Sequence, residues 1–269
     1  MKRVISIATS DSGAGAGIQA DLKSFLRCGV YGTTAIVATT SQNTVGVRGI
    51  HALPPEVGVE QIEAVAEDIG VDAVKTGMLF NAGIISAVAG AIRRLGLPNV
   101  VVDPVMVAES GAVLLEEDAV ETYKRELFPL AAAITPNVNE AFALALPGEE
   151  VDESRIEECA EILHGYGPRA VIITGGHTAS GDDLLYDGAG FTRIEGEVHS
   201  SASTHGAGCT HSSALASFLA RGFGLADAAP RARRVASQAV AHGLDEIGAG
   251  SGPVHALGGA LLLPEEDRF

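Results

Sequence analysis

Short apolar runs rich in Val, Ile and Ala alternate along this chain with segments whose apolar residues recur at helical spacing, and that alternation narrows the fold more than any other feature. Residues 4–9, 33–40, 73–76, 100–103, 132–135 and 170–174 form apolar runs of strand length. Between them, Ile84, Val88, Ile92 and Leu95 recur at i, i+4, i+8 and i+11, and Ile156, Cys159 and Leu163 share one helical face. A strand that is apolar throughout has to be covered on both sides, so strands of this kind separated by helices predict an α/β fold with a parallel sheet between helical layers. From about 182 to 194 the pattern changes to polar–apolar alternation around Asp187-Gly188, which predicts an antiparallel hairpin. Two further helices are expected over 209–221 and 225–246. No repeat, linker or low-complexity segment interrupts the order, so residues 1–269 read as a single domain.

A chain of this length buries roughly three quarters of its unfolded surface and needs no covalent staples. Aromatics make up only 4% and Trp is absent, so the core has to be built from Ala, Val, Ile and Leu. Cys28, Cys159 and Cys209 are odd in number and widely spaced, which fits neither a disulfide framework nor a paired metal site. Cys28 and Cys159 read as structural, each mid-helix among core residues. The apolar stretch at the start is shorter than the ~7–15 residues of a signal peptide, and no run reaches the ~18 of a membrane span. A cytoplasmic protein without membrane partners is expected. The net charge of −16 argues against nucleic acid, whose phosphates it would repel.

In sheets of this type ligands bind beyond the carboxyl ends of the strands, so the loops that follow them hold the candidate site. Familiar phosphate motifs fail there. Ser12–Gly17 lies between a strand and a helix, yet a dinucleotide fingerprint would place its third glycine at Ile18, and the acid expected after the second strand is missing from Thr39-Thr40-Ser41-Gln42. Val74 stands where a Walker A loop ending at Lys75-Thr76 needs its second glycine. Neither a GxSxG elbow nor an HExxH helix is present.

The sharpest candidate is Thr204-His205-Gly206-Ala207-Gly208-Cys209-Thr210, just ahead of an apolar helix. Two glycines let successive N–H groups turn into one cavity, and a helix N-terminus adds its positive end. Such a nest can stabilise the charge that develops on a transferring phosphoryl group. The same dipole is expected to lower the pKa of Cys209, making it a base for a substrate hydroxyl. The other reading is an ordinary Gly-rich loop capped by Thr204, with an inert buried cysteine. Position alone leaves both open.

This segment resembles the anion hole of the ribokinase superfamily's vitamin kinases, with cysteine in place of the usual aspartate base. Other stretches are similar, in order, to the hydroxymethylpyrimidine/phosphomethylpyrimidine kinase family. They are Ser10-Asp11 with Gly15–Lys23, Gly29–Thr33, Gln42–Val47, Lys75–Leu79, Val102–Val107, Thr135-Pro136-Asn137 with Glu140, Gly175-Gly176-His177 and Asp183-Leu184-Leu185. Together they cover nearly the whole chain. The resemblance implies a ribokinase-like three-layer α/β/α sandwich with a mostly parallel central sheet. It also implies ATP-dependent phosphorylation of hydroxymethylpyrimidine, and of its monophosphate, for thiamin synthesis.

By that resemblance Gln42 contacts the aminopyrimidine, and Asp21, Gly15, Ala16, Gly17, Met78 and Val105 line the same pocket. A side-chain amide suits an amidine-like ring edge because it both donates and accepts; the alternative for Gln42 is a loop-stabilising role. Asp103 and Glu140 are expected near Mg²⁺ through water, although Asp103 could equally be a cap at a strand end. Asn137, Thr135, Thr174 and Gly176 are placed near ATP, Cys209 as the catalytic residue, and Gly206, Ala207 and Gly208 as the anion hole. A homodimer is expected on the same ground. Three positions depart from the family: Thr174, Glu109 and, on a looser alignment, Ser237 stand where lysines are usual. Only Arg231, Arg233 or Arg234 could compensate, and phosphorylation of an already anionic monophosphate should suffer most. A pyridoxal or pyridoxine kinase is the nearest rival reading, and a non-catalytic pyrimidine-binding relative the rival of another class.

Overall fold

Successive residues of a strand point to opposite faces, and the buried apolar side chains divide accordingly. Val100 and Val102 belong to one core cluster while Val101 belongs to the other, and Ile5 and Val4 split in the same way. The computed structural model describes residues 1–106, 117–176, 178 and 180–258. Its strands are β1 (Arg3–Asp11), β2 (Tyr31–Asn43), β3 (Gly46–Ala52), β4 (Ala73–Thr76), β5 (Val100–Val102), β6 (Ala131–Ile134), β7 (Val171–Ile173), β8 (Asp183–Tyr186) and β9 (Phe191–Ile194). They form one sheet in the order β3-β2-β1-β4-β5-β6-β7-β8-β9. Pairing is parallel from β2 through β7 and antiparallel at β2–β3, β7–β8 and β8–β9.

The helices are α1 (Gly17–Arg27), α2 (Pro55–Ala64), α3 (Ala82–Leu95), α4 (Glu117–Thr122), α5 (Val138–Ala145), α6 (Ile156–His164), α7 (Ala207–Ala220) and α8 (Leu225–Ala241). Helices α1, α7 and α8 pack Phe25, Leu215 and Ala232 into the core on one face. Helices α2 to α6 pack Ile62, Ile85, Ala119, Phe142 and Leu163 into the core on the other. The result is the three-layer α/β/α sandwich with a mostly parallel sheet that the alternation predicts.

Four local readings are corrected. Residues 41–46 are not a free loop but the tip of a hairpin, because β2 runs on to Asn43 and pairs with β3. Helix α7 begins at Ala207, earlier than expected. Helix α8 stops at Ala241 rather than 246: His242 leaves the helical conformation, and the Leu244 N–H donates to the Pro253 carbonyl (3.0 Å) instead of continuing the helix. Cys28 caps the C-terminus of α1 instead of lying within it, though it is buried as expected. His177, Glu109 and the rest of the 107–111 stretch lie outside the described residues.

Strand order reverses at β1: the chain moves outward to β2, then returns to β4 on the other side. A crevice opens at such a switch point, beyond the carboxyl ends of β1 and β4.

Candidate active site

Strand β1 delivers Asp11 to the rim of that crevice. Its carboxylate accepts hydrogen bonds from the backbone N–H groups of Gly13 (2.8 Å), Gly15 (3.1 Å) and Ala16 (2.9 Å), so it shapes the turn that leads into α1. Gly17 closes this turn at φ +60°, where a Cβ would stand 2.3 Å from the Thr9 carbonyl oxygen. His205 Nε2 lies 3.1 Å from Asp11. Burial works against the Asp11 charge, but the His205 ring and the amides of Ala16 and Gly13 outweigh it and hold the carboxyl below its ordinary range.

Gln42, near the end of β2, reaches the same histidine nitrogen at 3.4 Å. That contact is long and competes with Asp11, so the Gln42 amide stays available to a ring placed above it. Ala16, Met78 and Val105 line the cavity beside Gln42. Gly15 does not: it backs onto His205, 2.1 Å from where its Cβ would be.

Asp21 is displaced further from its expected place. Instead of lining the pocket it is fully buried beneath it, accepting from Ser6 Oγ (2.5 Å) and Ser213 Oγ (2.7 Å). Lys75 Nζ pairs with its two oxygens at 2.9 and 3.0 Å and stands 3.9 Å from Asp103. Burial alone would discharge Lys75, yet Asp21 and Asp103 more than offset this and raise its pKa, so the ammonium is kept. Ser212, on α7, donates to Asp103 at 2.9 Å. Sequence reading missed Lys75 as a site-building group because its partner lies 54 positions away.

The Gly206–Cys209 turn stands over this network. Gly206 takes φ +89°, and a Cβ there would meet the Gly15 carbonyl oxygen at 1.9 Å, so the loop before α1 and the start of α7 require each other's glycines. Ala207 donates back to the Thr204 carbonyl (3.0 Å). The N-cap of α7 is Gly206, which carries no side chain to cap the helix, and Gly208 and Cys209 line the cavity. A helix start left in this way favours an anion. The expected lowering of the Cys209 pKa is overturned: burial pushes the thiol up to about 12, and Asp21 and Asp103 add to the rise against Lys75 and the Gly17 amide.

The far end of the cavity is lined by Thr135, Asn137, Glu140, Thr174 and Gly176. Asn137 and Glu140 form a reciprocal capping box at the start of α5: Glu140 N–H donates to Asn137 Oδ1 (2.9 Å) and Asn137 N–H to Glu140 Oε2 (3.0 Å). Glu140 Oε1 also accepts from Met106 N–H (3.4 Å). Burial raises the Glu140 carboxyl to about 8, with Asp103 as the next cause. Burial likewise raises Asp103, against Lys75 and Ser212. Two buried acids on one wall, with Asp103 adding to the rise at Glu140, fit a hydrated divalent cation as their counter-charge.

A carboxyl with a pKa raised on folding holds its proton more tightly in the folded chain, so its ionisation costs stability as pH rises from the ordinary carboxylate range through about 8. Glu140→Gln keeps the capping geometry and removes that cost. The variant is expected to melt a few degrees above the parent near pH 9 and level with it near pH 5, as scanning calorimetry would read.

Of the family's missing lysines, Thr174 and Ser237 both line the cavity. Arg233 lines it too, but donates to the carbonyls of Gly181 and Glu197 and stands 3.7 Å from Asp183. Arg231 lies over the Phe223 ring instead. His199, which sequence reading passed over, bonds Ser237 at 2.7 Å. Among the described residues no helix is long and apolar enough to cross a membrane.

A mostly parallel three-layer sandwich of this topology is that of the ribokinase-like class of small-molecule kinases. The phosphomethylpyrimidine kinase family model matches residues 11–255, and the chain belongs to that family. It is 45% identical to the hydroxymethylpyrimidine/phosphomethylpyrimidine kinase of Bacillus subtilis, over 94% of each chain. It is 47% identical to the thiamine biosynthesis bifunctional protein ThiED of Geobacter sulfurreducens over 94% of its own length, though it spans only 51% of that protein. Among solved structures, an ADP complex of Bacillus subtilis pyridoxal kinase superposes with a TM-score of 0.89 at 35% identity, covering 96% of this chain and 98% of that one.

Proposed function

We propose that this chain transfers the γ-phosphoryl group of ATP to the hydroxymethyl group of hydroxymethylpyrimidine, and more weakly to the phosphate of its monophosphate, in thiamin diphosphate synthesis. The observation that carries the reading is the glycine-started Gly206–Cys209 turn at the N-terminus of α7, which lines one cavity with Gln42 on one side and Asn137 and Thr174 on the other. The pyrimidine rests against Met78 and Val105 with its amidine edge on Gln42. The substrate oxygen attacks the γ-phosphorus, the Cys209 thiolate takes the hydroxyl proton and becomes the thiol, and the N–H groups of Gly208 and Cys209 hold the transferring oxygens as ADP departs. Asp103 and Glu140 would hold Mg²⁺ through water, where it neutralises phosphate charge. The same reading carries a homodimer, tested by sedimentation, and a cytoplasmic location, tested by fractionation.

The likeness to a pyridoxal kinase supplies the competing acceptor. ATP consumption by the purified protein is expected to depend on hydroxymethylpyrimidine, with a kcat/KM at least about ten-fold above that for pyridoxal, the margin that one differential polar contact provides. Equal or better turnover of pyridoxal would transfer the assignment to that vitamin. No ATP consumption with either acceptor would favour a binding protein. The monophosphate should be the poorer acceptor, because Thr174 and Ser237 put no cation beside a second phosphate.

A further inference from the structure

The nucleotide end of the cavity raises a problem of charge. A triphosphate brings several negative charges to a wall that already carries Asp103 and Glu140, within a chain of net charge −16. Among the described residues, four side chains lining the cavity can be cations: His199, His205, His211 and Arg233. Three of these already lie against a protein carboxylate or carbonyl, although neither ring nitrogen of the buried His211 makes a hydrogen bond among the described residues. His205 is held by Asp11, His211 Nε2 lies buried 3.1 Å from Asp183, and Arg233 is tied to the Gly181 and Glu197 carbonyls. Lys75 sits behind the wall on Asp21. His199 differs in that its partner is a neutral hydroxyl, Ser237 Oγ at 2.7 Å, and the ring is only partly buried.

From this we infer that His199 binds the phosphate chain of the nucleotide, with Ser237 as the positioning residue that holds its ring. The pair comes from separate elements, the β9–α7 connection and α8, so the hydroxyl fixes the imidazole without neutralising it. A ring nitrogen not engaged by Ser237 can donate to an ionised phosphate oxygen, a charge-assisted bond. The inference rests on the kinase reading above, insofar as that reading places the nucleotide at this end.

Calorimetric titration of ADP and ATP into the purified full chain, with Mg²⁺ and no acceptor, tests it. His199→Ala is expected to weaken ATP binding at least about ten-fold, the scale of one charge-assisted bond, and ADP binding by a similar or smaller factor. Adding Ser237→Lys to His199→Ala should restore most of that loss, because it returns a cation to the same wall without remaking the histidine contact. A structural role for His199 would not be rescued in this way, and thermal melting of both variants checks that they fold. If His199→Ala does not fold, His199→Phe, which keeps the shape of the ring but has no donor, is expected to lose nearly as much affinity. Parent-like ATP affinity in a folded His199→Ala or His199→Phe protein, or no gain from the added lysine, would overturn the inference. Failure of the parent to bind either nucleotide would sink the kinase reading itself.

Discussion

Lys75→Met should lower the stability of the folded chain by about 3–5 kcal/mol, the usual cost of leaving one member of a buried ion pair without its partner. At roughly 2–4 °C per kcal/mol for chains near this size, Tm would fall by about 6–20 °C. Lys75 and Asp21 are both fully buried, so water cannot replace the lost ammonium. Asp21 would keep Ser6 and Ser213, two neutral donors, which cannot balance a carboxylate in such surroundings. Removing both charges relieves the conflict: the Asp21→Asn, Lys75→Met double variant should be more stable than Lys75→Met alone. Urea denaturation of the four proteins in this cycle reads the coupling directly. Strict additivity, or an unchanged Tm in Lys75→Met, would show that the pair does not hold α1, β4 and α7 together.

That network also marks where sequence reading stops. Helix α3 was legible because Ile84, Val88 and Ile92 repeat on one face and Asn81 caps its start, both local signals. Strand β3 was not, because Gly46 and Gly49 dilute its pattern and it sits on the sheet edge, partly exposed throughout. Topology alone brings strand ends together, which is why Gln42, Met78, Asp103, Asn137 and Gly176 line one cavity although they lie far apart in sequence. Which residue faces the cavity was harder. Asp21 and Met78 both belong to motif stretches, yet Asp21 points into a charge cluster whose members come from four separate elements. No local pattern records such a meeting. Arg233 shows the same limit: its place on α8 brings it to the phosphate end, but carbonyls already hold it there.

Cys209 is the residue whose chemistry changed most between sequence and structure, and Cys209→Ala carries the other large expected effect, a fall in kcat of about 10²–10⁴. Nucleotide affinity should stay near that of the parent, because the backbone N–H groups of the turn survive the substitution. From the sequence, the helix start alone is expected to lower the thiol pKa. In the folded chain burial and two buried carboxylates outweigh it, and the thiol stands at about 12. At pH 7 the thiolate is then roughly one part in 10⁵. If that thiolate takes the substrate proton, kcat/KM at saturating Mg²⁺ should climb about ten-fold per pH unit from 7 to 9 without a plateau. Saturating Mg²⁺ matters because Glu140, at about 8, would otherwise impose its own inflection in that window. Cys209→Asp replaces the thiol with a group that ionises far more readily, so its profile should be flat over the same range. A parent profile that levels below pH 8, or a Cys209→Ala enzyme within a few-fold of the parent, would remove Cys209 from the proton transfer and leave the anion turn to act alone.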